Sequence, residues 1–83
     1  MEDDKIGGTF GDKLVGLTFN PSNDEKVQRV KEICAELANI ANDYWCRDAY
    51  SEKSFLENQI YNNAIGEILN AQMNVVKLLT FNK

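Results

Sequence analysis

Histidine is absent from the chain, which removes at once the commonest general acid–base residue, the imidazole metal ligand and the Ser-His or Cys-His nucleophile pairing. We therefore expect no enzyme, no metal and no cofactor. Cysteine is scarce: only Cys34 and Cys46 are present. Read on one helix, they lie roughly 18 Å apart at about 1.5 Å per residue, too far to bridge each other. Two thiols without histidine also fall short of a four-ligand zinc site, and a reduced, intracellular chain is the simplest fit. Positive charge is short as well, with 9 Lys plus Arg against 13 Asp plus Glu and a net charge of −4. Duplex nucleic acid needs massed cations and is not an expected partner. No N-terminal stretch joins a basic head to an apolar run, as a secretory signal would. The longest strongly apolar stretch, Val75 to Leu79, is broken by Lys77 and is far short of the roughly 20 residues of a membrane helix. The expectation is a soluble, cytoplasmic protein with no membrane partner.

What is present suits one small domain: 83 residues, 43% hydrophobic and 27% charged, too few for a second domain. The single proline, Pro21, and four of the five glycines (Gly7, Gly8, Gly11, Gly16) fall in the first 21 residues. We read residues 1–22 as an irregular glycine-rich arm, with Val15, Leu17 and Phe19 alternating as a short extended piece. Asn20-Pro21-Ser22-Asn23 turns the chain. Ser22 and Glu25 have capping-box spacing, which predicts a helix from about Asn23. Its apolar positions Val27, Val30, Cys34, Leu37, Ala41 and Tyr44 are spaced 3-4-3-4-3, and Ile33 and Ile40 widen that face. A loop is expected near Asp48 to Lys53, beside an aromatic cluster of Tyr44, Trp45 and Tyr50. Ser54 and Glu57 then repeat the capping-box spacing ahead of a second helix, about Phe55 to Thr80.

The second helix carries Leu56, Ile60, Ala64, Ile68, Ala71, Val75 and Leu78 on one stripe, the face expected to meet the first helix. A second row, Tyr61, Ile65, Leu69, Val76 and Leu79 with Met73 nearby, makes its C-terminal half apolar over much more than one face. The predicted fold is all-α, a two-helix antiparallel hairpin over residues 23–83 with the N-terminal arm. One seam cannot bury both rows, so a homo-oligomer is expected to cover the remainder.

The richest stretch for function runs from Val15 to Lys26 and on to Arg29 and Lys31. Its plain reading is a capped helix start with Phe19 packed as a hydrophobic staple and the cations on a solvated face. Its functional reading uses the same atoms: a helix N-terminus with Lys26, Arg29 and Lys31 makes an anion site, Phe19 or Phe10 offers a stacking face for a base, and Asn20, Ser22 and Asn23 supply short polar contacts. Gly7-Gly8-Thr9-Phe10-Gly11 has the glycine density of a phosphate-binding loop but lacks its Gly-Lys-Ser/Thr ending. The acids Glu32, Glu36, Asp43, Glu57 and Glu67 show no metal-ligand or paired-carboxylate spacing.

Taken together, Val15-Gly-Leu-Thr-Phe-Asn-Pro-Ser22, Val30-Lys-Glu-Ile-Cys-Ala-Glu-Leu-Ala38 and Ala64-Ile-Gly-Glu-Ile-Leu-Asn-Ala-Gln-Met73 with Val76-Lys77 resemble the phage anti-CBASS sponge family. These helical-hairpin proteins sequester the cyclic oligonucleotide messengers of a bacterial anti-phage system and share their hairpin with sponges acting against the Thoeris system. The resemblance covers roughly Val15 to Phe81. It implies a homohexamer in the cytoplasm of the infected host, binding cyclic dinucleotides such as cyclic GMP-AMP between protomers, with separate pockets for cyclic trinucleotides, and breaking no bond. It places the base-stacking aromatic on Phe19, with Phe10 as the alternative, and the phosphate-pairing cation on Lys31. Phe19 stands where the family more often has tyrosine, and Gly66 where relatives often carry threonine.

A ligand with two or three phosphates needs a few placed cations, so the acidic total does not oppose this function. The rival reading is a small protein-interaction or assembly factor whose apolar second helix docks on another protein. Sedimentation should give a mass well above the 9.4 kDa of one chain. A well-folded monomer at micromolar concentration would refute the oligomer.

Overall fold

A computed structural model describes residues 8–47 and 53–82, and every regular element among them is helical. In chain order these are α1 (Phe10–Val15), α2 (Glu25–Cys46) and α3 (Phe55–Thr80). Within the described residues, no helix is long and apolar enough to cross a membrane.

The arm is not irregular: it contains α1. Thr9 caps that helix by a full capping box, its hydroxyl accepting from the Asp12 N–H at 3.1 Å while the Thr9 N–H donates to the Asp12 carboxylate at 3.4 Å. The helix ends at Gly16, whose φ of +64° is the left-handed conformation that glycine adopts without steric cost. Gly11 plays a different part. A Cβ built there would sit 2.0 Å from the Ala35 carbonyl oxygen, so α1 lies flush on α2 only because this residue has no side chain. The Gly11 N–H donates to Asn39 Oδ1 at 2.7 Å, and Asn39 Nδ2 donates to Thr9 Oγ1 at 3.1 Å. Glycines that signal a broken chain in sequence therefore serve helix–helix contact and capping. The extended piece expected over Val15–Phe19 is instead the end of α1 and the turn after it, and Val15 and Leu17 form the buried cluster with Ala35, flanked by Cys34.

The start of α2 also differs from expectation. Its N-cap is Asp24, which accepts from the Lys26 N–H at 2.8 Å, so the helix begins at Glu25, and Ser22 lies outside it. The buried line of α2 is Val27, Lys31, Ala35 and Ala38, which shares Val27 with the expected row and has Cys34 packed beside it. Ile33, Leu37, Ile40 and Tyr44 all face outward, Ile40 at 67% exposure. Small alanines let α1 approach closely, and the large side chains are left on the open side.

The expected bounds of α3 match, and its capping box is present: Ser54 Oγ accepts from the Glu57 N–H at 3.0 Å and the Ser54 N–H donates to Glu57 Oε1 at 2.8 Å. The stripe expected to face α2 does so only at its middle, where Ile68 is buried and Ala64 half-buried. Leu56, Ile60, Val75 and Leu78 are exposed, and the buried positions of α3 are Ile68 and Gln72. Near the end of α2, Trp45 stacks on Tyr61 with centroids 4.7 Å apart and 9° between planes, and the Tyr61 hydroxyl donates to Asn42 at 2.9 Å. Tyr44 is exposed under the Arg47 guanidinium, and Lys53 lies 5.0 Å over the Trp45 ring. Tyr50 and most of the expected loop lie outside the described residues.

The molecule is flat, with principal extents of 47 × 33 × 13 Å, the last little more than one helix diameter. Its radius of gyration is 14.4 Å, against about 12 Å for a compact chain of this length. It exposes 6271 Å², against about 5,000 Å² for a folded monomer of this mass. Among the described residues, no large side chain is fully enclosed.

Two glycine substitutions separate packing from helix propensity. Gly11→Ala should lose at least about 2 kcal/mol in urea unfolding, because its methyl meets backbone that cannot swing aside. Gly66→Ala, with nothing within 4 Å, should gain about 1 kcal/mol. Equal effects at both positions would contradict the close α1–α2 contact.

Candidate functional site

The turn between α1 and α2 is held by its own polar side chains. Leu17 N–H donates back to the Asp12 carbonyl at 2.9 Å, and Phe19 N–H donates to the Gly16 carbonyl at 2.9 Å. The Asn20 amide donates to the Asp24 carbonyl and to Gln28 Oε1, both at 3.2 Å, while its Oδ1 accepts from Ser22 Oγ at 2.7 Å. Ser22 Oγ in turn accepts from the Asp24 N–H at 3.2 Å, and Gln28 Nε2 donates to the Leu17 carbonyl at 3.3 Å. Asn20 and Ser22, expected as ligand contacts, thus have structural bonds of their own.

Lys31 completes this turn from beneath. It reaches from the buried line of α2, only 6% exposed, and its ammonium donates to the Gly16 carbonyl at 3.0 Å and to the Phe19 carbonyl. The same ammonium lies 5.6 Å from the centroid of the Phe19 ring. Burial pushes its pKa down from the ordinary lysine value. Two N–H groups serve the backbone, leaving one.

The consequence for Phe19 is the reverse of a hydrophobic staple. Its backbone is fixed by Lys31 and by the turn, but its side chain is 69% exposed. The ring stands at the lip of a cleft of about 390 Å³ whose opposite wall is the C-terminal half of α3. Asn20, Pro21, Ser22, Val27 and Lys31 border the cleft on the α2 side, and Gln72, Met73, Val76, Lys77 and Thr80 border it on the α3 side. Its lining includes two lysines and no acid, in a chain of net charge −4.

Four of the six expected site residues, Phe19, Asn20, Ser22 and Lys31, therefore share one cleft. The other two do not join them. Phe10 lies on α1 and Lys26 on the first turn of α2, and neither borders the cleft. Arg29 points its guanidinium to Glu32 at 3.3 Å on the exposed face of α2. The α3 wall went unread in the sequence. Met73, expected as core or interface, is half exposed there and so is not core, and Gln72 interrupts the second apolar row. A polar residue inside an apolar stripe was the available signal.

Lys31→Met should cost about 1–3 kcal/mol of stability, since it strips a charged donor from two carbonyls of one turn. Chemical unfolding measures it, and a loss under 0.5 kcal/mol would mean that the turn holds without the lysine. Comparison of the chain with protein-family models, with curated proteins and with solved structures finds no match.

Proposed function

We propose that this chain binds cyclic oligonucleotide messengers, cyclic dinucleotides such as cyclic GMP-AMP foremost, and sequesters them without hydrolysis. The observation that carries the reading is the cleft that joins an exposed aromatic ring to two lysines and no carboxylate. Phe19 offers a ring face to a base, and stacking of this kind contributes about 1–3 kcal/mol per base. Lys31, held in place by the turn, presents its remaining N–H to a phosphate, and Lys77 on α3 supplies a second cation.

At about 390 Å³ the cleft is at the small end of ligand pockets. A ligand with two bases extends beyond it, and a second protomer is the natural cover. The flat shape and the outward row of Ile33, Leu37, Ile40 and Tyr44 support self-association; the antiparallel hairpin of α2 and α3 in each subunit and the hexamer are what the family resemblance implies. Cyclic trinucleotides belong to the same ligand class. The biological reading is a phage product acting in the cytoplasm of its bacterial host, depriving CBASS effectors of their signal.

The outward apolar row also favours a second reading, a protein-interaction or assembly factor that covers this surface with another protein. One experiment separates the two. Thermal unfolding with cyclic di- and trinucleotides should raise the midpoint selectively over linear dinucleotides, with about 2.7 kcal/mol of stabilisation at 100 times the dissociation constant. Intact ligand should be recovered after denaturation. No shift with any cyclic compound would remove the sponge reading and leave the interaction factor.

A further inference from the structure

The sequestering role leaves one side chain of the cleft unexplained. Gln72 is 5% exposed, on the second turn from the end of α3's buried line, and it borders the cleft opposite Phe19. Among the described residues it makes no hydrogen bond to protein, although no fully enclosed side-chain nitrogen or oxygen there lacks a partner. Its amide is therefore the part of the residue that opens onto the cleft. With its stem buried and its amide bonded to no other described residue, Gln72 has a donor and an acceptor available to a ligand in the cleft.

We propose that Gln72 reads the hydrogen-bonding edge of a nucleobase held against Phe19, and that this edge is adenine's. The amide offers one donor and one acceptor side by side, and adenine presents the complementary acceptor and donor, the pairing by which glutamine commonly recognises it. Lys31 and Lys77 flank the amide with donors only, so they cannot accept from the adenine amino group. Gln72 is the lining residue whose chemistry distinguishes one base from another, while the ring and the lysines would bind any. This assignment rests on the cleft being a nucleotide site.

The test is calorimetry of the intact protein with cyclic di-AMP and with cyclic di-GMP, for wild type, Gln72→Leu and Gln72→Glu, with sedimentation and unfolding as controls. Gln72→Leu should be as stable as wild type or more so, yet lose roughly tenfold or more in affinity for cyclic di-AMP, the scale of one bidentate base contact. Gln72→Glu replaces the donor by a second acceptor, which suits the paired N–H donors of guanine. It should shift the ratio of cyclic di-GMP to cyclic di-AMP affinity upward by about tenfold or more. If Gln72→Leu binds cyclic di-AMP like wild type, the assignment is overturned and the nucleotide site stands. Loss in Gln72→Leu with an unchanged ratio in Gln72→Glu overturns edge reading in favour of packing. Should Gln72→Glu fail to fold, the leucine variant alone decides. If wild type binds neither compound, the nucleotide site and the role of Gln72 fall together.

Discussion

The contact of Gly11 with the Ala35 carbonyl fixes where α1 and the turn into α2 lie. With no Cβ between them, α1 rests against the alanine side of α2, and the chain must leave it through the left-handed Gly16. That exit directs Leu17 inward beside Val15 and brings the carbonyls of Gly16 and Phe19 over Lys31. The Phe19 ring is then left outside, facing α3. A short helix, two glycines and one lysine thus position the aromatic of the cleft, with no sheet among the described residues.

Much of this was legible in the residues, and what was not has a physical reason. The bounds of α3 follow from Ser54 and Glu57, whose reciprocal bonds are a local code needing no tertiary context. The helical face of α2 was read correctly at Val27 but not at Leu37 and Ile40, because periodicity weighs bulk whereas the contact with α1 selects smallness at Ala35. Glycine density in the arm was read as backbone freedom when Gly11 supplies clearance instead. The chain's own chemistry pointed to Phe19 or Phe10 with Lys26, Arg29 and Lys31, and the family resemblance singled out Phe19 and Lys31. Gln72 and Lys77 were not recognised, because their place opposite the turn depends on how α3 lies against α2.

Charge in this protein is arranged locally. The chain is acidic as a whole, yet the cleft is lined by lysines alone among its ionisable groups. Net charge speaks to solubility and long-range steering, whereas a small anion responds to the few groups within its Debye distance. The polar side chains of the turn are saturated by each other, so Asn20 and Ser22 stiffen the site more than they advertise it.

The two lysines of the cleft differ in kind. Lys77 lies at an exposed position of α3, where counterions compete with it directly. Lys31 has already surrendered its water and its rotational freedom to two carbonyls, and those costs were met when the chain folded. An anion arriving at Lys31 meets a directional donor whose attraction is little diluted by dissolved salt. For an anion held as proposed, added salt would weaken its attraction to Lys77 before its attraction to Lys31.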